Sequence, residues 1–346
     1  MHRSFLALAL IGTFAVGFVA CGEDDPGPAP PGPIKVENLA AEFEKADCEA
    51  KVRCTVMPDA ATCVDVDGAD YALLQLIADV TAEKVTYDEQ GGRDWVEAIR
   101  KAPCQSTIAV GKSIETAYKT VFTGTVEVGG ACFVDGECVD FGLCDRTLCE
   151  GGPACCVGVC TPPPAQVPEG GDCSMGTCVD AAFCAGPEDP DGEGGAGPTG
   201  PSTCQPRADN GQDCDDTFGC QDGQRCGNGK CYKLSSSGQP CNPNLQVSCI
   251  DFSNWCEPTE GKCATLPAAG QPCGTNGAQC ALYAFCDGTN CQPKPGVGAG
   301  CGEEGQPGCI GDLRCQDGSC QKRSLQVCVG DGEQPQPGTG GAGGGG

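Results

Sequence analysis

Four cysteines, Cys214, Cys220, Cys226 and Cys231, crowd into the stretch "GQDCDDTFGCQDGQRCGNGKC" at 211–231. Cysteine at this density can ligate a metal, exchange electrons or cross-link the chain. Zinc and iron–sulfur sites favour short chelating pairs, and thiol–disulfide exchange favours Cys-x-x-Cys, which lowers the pKa of the attacking thiol. No Cys-x-x-Cys occurs anywhere in the chain. What remains is cross-linking, in an oxidising compartment where cysteine pairs persist.

Other catalytic chemistry is thinly provided for. His2 is the sole histidine and lies in an N-terminal apolar segment. If that segment is removed, Ser-His-Asp and Cys-His catalysis and histidine metal ligation go with it. The 47 acidic residues include carboxylates for acid–base work, but a poised acid needs a dry pocket, which small modules do not build. "DVDGAD" (Asp65, Asp67, Asp70) has the flavour of a calcium loop, yet Gly68 stands at position four rather than six. A turn followed by Asp70 as a helix N-cap accounts for it. Glu188, Asp189, Asp191 and Glu193 read as a solvated loop. The expectation is a protein that is not an enzyme and takes no cofactor and no metal.

The elements that would carry the cysteines differ along the chain. In 36–54, "VENLAAEFEKADCEAKVRC", Leu39, Phe43, Ala46 and Ala50 recur at helical spacing. Cys48 and Cys54 lie six residues apart, about 240° around a helix, so each should pair outside it, with Cys63 and Cys104 as the local candidates. Further helices are expected at 70–83, at 90–101 with Trp95, and at about 106–120. "VFTGTVEVGG" then leaves helical character.

From Gly129 an internal repeat takes over, each unit opening on a glycine three residues before its first cysteine. The units are "GGACFVDGECVDFGLCDRTLC", "GGDCSMGTCVDAAFC" continuing to Cys204, the stretch quoted above, "GQPCNPNLQVSCIDFSNWCEPTEGKC", "GQPCGTNGAQCALYAFCDGTNC" and "GAGCGEEGQPGCIGDLRCQDGSC". "EGGPACCVGVC" reads as an addition to the first unit, carrying Cys155, Cys156 and Cys160, and Cys328 follows the last unit. "CGNGKC" and "CQDGSC" place Asn-Gly and Asp-Gly between third and fourth cysteines, the signal of a type I′ hairpin. Four cysteines allow three pairings, and spacing does not choose among them. First-to-third and second-to-fourth, Cys214–Cys226 and Cys220–Cys231, is the working expectation. The residue before each third cysteine is bulky and variable: Leu143, Phe183, Arg225, Trp255, Phe285 and Arg314. Packing between modules explains this, and so does an exposed array for ligand contact through Trp255, Phe285, Phe183, Arg225 and Arg314.

Composition agrees with covalent stapling. There are 33 cysteines and 54 glycines in 346 residues, but only 5% aromatic residues, too few large apolar groups to order the chain by burial alone. A net charge of −26 disfavours nucleic-acid partners and anionic lipid surfaces, both of which need a basic face.

Residues 1–21, "MHRSFLALALIGTFAVGFVAC", pair a basic start with an apolar run too short for a comfortable span, as a secretory signal does. The ending "FVAC" (Phe18 to Cys21) resembles the lipobox of bacterial lipoproteins, with Phe18 where leucine is usual. The resemblance implies export, cleavage before Cys21 and acylation of Cys21, which would anchor the chain stably. Gly22, where Asp would retain such a protein in the inner membrane, implies the outer membrane. Setting Cys21 aside leaves 32 cysteines, an even number. The unit Gly-x-x-Cys-x5-Cys-x5-Cys-x4-Cys resembles the N-terminal cysteine-rich module of Dickkopf proteins and invertebrate EB modules. The whole arrangement is similar to cysteine-rich lipoproteins of large-genome Gram-negative bacteria. Those motifs specify a scaffold; receptor antagonism is not implied.

The expected protein is small and disulfide-rich: a short α-helical N-terminal domain followed by a tandem array of small β-hairpin cysteine-rich modules, extended as a rod. Its parts are a lipoprotein signal (1–20), a Pro-rich tether (21–34), a helical domain with two disulfides among Cys48, Cys54, Cys63 and Cys104 (35–127), and six modules (128–168, 169–209, 210–236, 237–267, 268–295, 296–328). A Gly-rich tail (329–346) ends the chain. The expected role is a non-catalytic binding or adhesion array, periplasmic or cell-surface, tethered to the membrane through acylated Cys21, with an extracellular protein or glycan as ligand. The alternatives are a passive spacer or coat lipoprotein and, more distantly, a hydrolase.

Overall fold

Helices gather where apolar residues recur, and hairpins gather where cysteines do. In the computed structural model, residues 32–66, 71–105, 107–147, 155–174, 176–186, 202–214, 219–245, 247–273, 279–302, 308–322 and 327–328 are described. The segment 1–31, with Cys21, and the tail 329–346 lie outside them, as do Asp67, Asp70, Glu188, Asp189, Asp191 and Glu193. The chain partitions into Met1–Gly32 and Pro33–Gly346, and every element below belongs to the second unit.

Five helices are described: α1 (Val36–Arg53), α2 (Ala60–Val66), α3 (Tyr71–Thr81), α4 (Glu89–Lys101) and α5 (Ile108–Tyr118). Asp88 and Thr107 cap α4 and α5 by accepting the Gly91 and Val110 N–H groups, satisfying donors a helix start leaves orphaned. Glu37 in the first turn of α1 and Lys51 and Arg53 in its last turn complement the helix dipole. The seven residues of α2 are too few to show a period in the sequence. The pairing of β1 (Val85–Tyr87) with β2 (Phe122–Gly124) is likewise unmarked there, since these three-residue strands meet across two helices. The helices close on a core of Leu39, Leu73, Leu76, Trp95, Val96, Ile99, Val121 and Phe122, with Phe43 stacked on Trp95 at 4.8 Å. Cys48 bonds Cys63, and Cys54 bonds Cys104.

The rest is built on hairpins. The first module holds a three-stranded sheet, β3 (Ala131–Cys132), β4 (Leu143–Asp145) and β5 (Gly158–Thr161), in the order β3-β5-β4. Short parallel strands β6 (Gln166–Val167) and β7 (Thr177–Cys178) lead into the second. Antiparallel pairs follow, one per module: β8 (Ala182–Ala185) with β9 (Thr203–Pro206), β10 (Gln224–Gly227) with β11 (Lys230–Lys233), β12 (Asn254–Glu257) with β13 (Lys262–Thr265), β14 (Ala284–Cys286) with β15 (Cys291–Pro293), and β16 (Arg314–Gln316) with β17 (Ser319–Gln321). Asn228 and Gly229 have φ of 53° and 74°, and Asp317 and Gly318 have 51° and 75°. That double left-handed conformation is the type I′ turn, whose twist matches the strands it joins.

One pairing runs through all six modules. Third and fourth cysteines sit directly opposite each other, as Cys226 does Cys231, so both sulfurs project from one face of the hairpin. Each reaches back to a different upstream cysteine: Cys214–Cys226 and Cys220–Cys231 in the third module, and likewise first-to-third and second-to-fourth elsewhere. In the third module the sulfurs of Cys214, Cys220 and Cys231 lie within 4.8 Å of one another, so the two bridges are themselves the module's interior. Fifteen disulfides are described in all, a framework that an oxidising compartment sustains.

The opening glycine is explained by the backbone. Gly129, Gly170, Gly211, Gly238, Gly270 and Gly298 all have φ between 74° and 89°. Each N–H donates to the carbonyl of the fourth cysteine of its module, at 2.7–2.8 Å. A Cβ at these glycines would meet nothing within 4 Å, so the left-handed backbone, rather than space, demands glycine. In the first module that carbonyl belongs to Cys160, which also bonds Cys138. The fourth cysteine there is therefore Cys160, not Cys149 as the repeat spacing suggested. "EGGPACC" is an insertion between third and fourth cysteines, like the one in the second module.

A free-standing rod is not what forms. Asp222 of the third module accepts the Ile108 and Ala109 N–H groups at 2.8 and 3.0 Å. Phe252 of the fourth donates its N–H to the Cys104 carbonyl at 3.1 Å. Cys48, Met57, Cys63 and Val66 share a core with Leu266, Tyr283, Ile310 and Leu313 of the last modules. Cys328 bonds Cys155, 173 residues earlier. Modules too small for interiors of their own gain one by packing on the helices.

Candidate functional site

The position before each third cysteine lies on a strand, one residue out of phase with the sulfur face, and so projects from the opposite side of its hairpin. The surroundings then divide these residues. Phe183 is buried, its ring against Gly219 of the next module, and it lines a groove of about 280 Å³ with Gln205, Asp213 and Gly219. Trp255 packs on the shared core of the last modules. Phe285 is half-buried opposite Gln292. Arg225, half-buried opposite Tyr232, lines a groove of about 360 Å³ with Arg207, Asp222 and the start of α5. Arg314 is exposed. Burial therefore differs along the series, from buried Phe183 to exposed Arg314.

The sixth residue of that series opens a different surface. On the outer face of the β3-β5-β4 sheet, Leu143 and Val159 are 40% and 46% exposed. They lie diagonally across the strand pair, Leu143 opposite Thr161 and Val159 opposite Asp145, within reach of each other. Phe141 and Val128 of the same module are also exposed, at 50% and 57%. Phe141 and the preceding Asp140 both have positive φ, 59° and 52°. Neither is glycine, so this conformation costs about 1–2 kcal/mol per residue. The next residue, Gly142, is fixed by space, since a Cβ there would stand 2.4 Å from the Thr161 carbonyl oxygen. The Lys119 ammonium lies 5.5 Å from the Phe141 ring centroid. The exposed Leu143–Val159 pair was not visible as such in the sequence, because only Leu143 belongs to the repeating pattern.

The inner side of the same module holds buried charge. Glu137 is fully buried and Asp79 nearly so. Tyr71, Gln75 and Asp79 recur every fourth residue along α3, forming one polar stripe on a helix otherwise facing the core. The Gln75 amide is matched at both ends. Its Nε2 donates to Asp79 Oδ1 at 3.0 Å and to the Cys328 carbonyl at 2.9 Å, and its Oε1 accepts the Cys328 N–H at 2.7 Å. Glu137 Oε2 accepts the Phe133 N–H at 2.6 Å, and Lys84 Nζ lies 3.6 Å from Glu137 Oε1. Burial, and then the adjacent Glu137 carboxyl, push the Asp79 carboxyl up to about 7.

Cysteine clusters that could hold a metal by proximity, such as Cys214, Cys220 and Cys231, are committed to disulfides and offer no thiolate. Among the described residues no helix is long and apolar enough to cross a membrane. Comparison with protein families, with characterised proteins and with solved structures finds no match for this chain.

Proposed function

We propose that this chain is a non-catalytic binding array of the cell envelope, exported and tethered through acyl chains on Cys21, with its first module as the contact surface for an extracellular protein or glycan. The observation that carries the reading is the exposed pair Leu143 and Val159 on the outer face of the β3-β5-β4 sheet, with Phe141 and Val128 exposed in the same module. Apolar side chains paired on an exposed sheet face of a strongly acidic chain are where partners bind, and the exposed Phe141 beside them sits in a left-handed two-residue stretch. The test uses residues 33–346 immobilised through the C-terminus and exposed to extracellular material. Saturable capture of one partner, lost in Leu143→Asp/Val159→Asp while the disulfide mass pattern stays native, supports binding.

A passive spacer or coat lipoprotein is the second reading, favoured by the packing of Phe183 and Trp255 between modules. It would give the same featureless retention for the native and double-substituted proteins. Anchoring has its own measurement: incorporation of labelled fatty acid in cells, expected for the native chain and abolished in Cys21→Ser. Protease shaving of intact cells then decides between the periplasmic and the external face.

A further inference from the structure

The buried charge between α3, the first module and Cys328 plays no part in the proposed binding surface. Two of its oxygens, Asp79 Oδ2 and Glu137 Oε1, are buried without a hydrogen-bond partner. An unsatisfied buried carboxylate oxygen is costly, and two of them on neighbouring carboxyls have one common remedy. A single proton between them supplies a donor for one and an acceptor for the other, with Lys84 balancing the remaining charge.

We infer that this junction is a proton-operated clasp that holds the C-terminal end of the module array against α3. With the proton in place, Asp79, Glu137 and Lys84 sum to zero charge, and Asp79 Oδ1 is free to anchor Gln75, whose amide grips both backbone groups of Cys328. Without it, two buried carboxylates face one partly exposed ammonium. Adjacent buried carboxyls cannot both ionise cheaply, so the junction separates.

The other groups facing the site do not replace the proton. Tyr71 on α3 has its phenol pushed up by burial and stays neutral, its oxygen 3.4 Å from the Cys328 sulfur. Arg146 of the first module acts on Tyr71, and Lys84 lies over the Phe133 ring at 4.8 Å as well as beside Glu137. Cys328 is held in its disulfide with Cys155. That bridge limits how far the ends move when the clasp opens, so opening is local while the bridge is intact.

The sign follows from linkage. A carboxyl whose folded pKa is raised contributes stability at low pH that is lost as pH climbs from the ordinary carboxylate range to about 7. Alkaline conditions open the clasp and acid closes it.

The experiment measures how fast a phosphine reductant, which needs no thiolate, cuts Cys155–Cys328 in the full ectodomain. The rate is read by alkylation and peptide mass mapping against Cys214–Cys226 in the same molecule. The ratio of the two rates should rise at least five-fold between pH 5.5 and 8.5, with a midpoint near 7. Asp79→Asn, neutral and still able to donate to Glu137, should keep the low ratio throughout. If that variant does not fold, Glu137→Gln removes the same charge and should also flatten the profile. A ratio that is level with pH in the native protein, or a step that survives in the folded variant, overturns the clasp.

Discussion

The helical region and the cysteine modules reach order by opposite routes. Between Val36 and Gly124, Leu39, Leu73, Leu76, Val96 and Phe122 bury apolar side chains against one another, and two disulfides add to a core that already exists. In the first two modules cysteines dominate the buried clusters. The second module's is Cys173, Cys178, Ala182 and Cys204; the first has one of four cysteines and a smaller one of Phe133 and Val157 with Cys328, while the last modules draw on a core shared with the helices. The lesson is that one chain can divide its folding between burial, which needs many large residues, and cross-linking, which needs few but needs an oxidising compartment.

Full reduction should break that symmetry most strongly. Bridges spanning 11 or 12 residues, such as Cys220–Cys231 and Cys214–Cys226, are worth about 3 kcal/mol each in the chain-entropy model, and a module has little else. Hydrogen-exchange protection should vanish across 202–322 while α3, α4 and the β1–β2 pair keep a measurable part of theirs. Simultaneous loss in both regions would mean the helices depend on the modules as much as the reverse. Next in size, Leu39→Ala, at a fully buried position, should cost about 2–5 kcal/mol in denaturant unfolding. Phe285→Ala, at a half-buried position on a module hairpin, should fall short of that. A cost at Phe285 equal to that at Leu39 would erase the distinction. Smallest is the glycine test: Gly211→Ala should destabilise by about 1–2 kcal/mol through its positive φ, although open space surrounds it. A neutral result there would show that the module tolerates a different opening turn.

Much of the local structure was legible. Apolar periodicity marks α1, α3, α4 and α5, and Asn228-Gly229 and Asp317-Gly318 mark two hairpin turns, because these signals are short-range and steric. The β1–β2 pairing was not legible, since Val85 meets Gly124 across two helices and three-residue strands have no readable period. Cys149 looked like a fourth cysteine because it kept the spacing. Cys160 holds the place instead because it lies opposite Cys144 on the paired strand and receives the Gly129 N–H. Of the residues before the third cysteines, the sequence offered a uniform series. Neighbouring modules bury Phe183 and leave Leu143 and Arg314 open, a difference no single unit encodes.

Residue types alone determined that this chain must be stapled: too few large apolar groups, a cysteine every few residues, glycines at fixed offsets and turns that admit only left-handed backbone. Those are local constraints, satisfied within a dozen residues of where they are written. Which sulfur faces which, where the modules come to rest on the helices, and how Asp79 and Glu137 come to share a buried site with Cys328 were decided only by tertiary structure. The contacts involved join residues up to 257 positions apart, and no local pattern records who a distant neighbour will be.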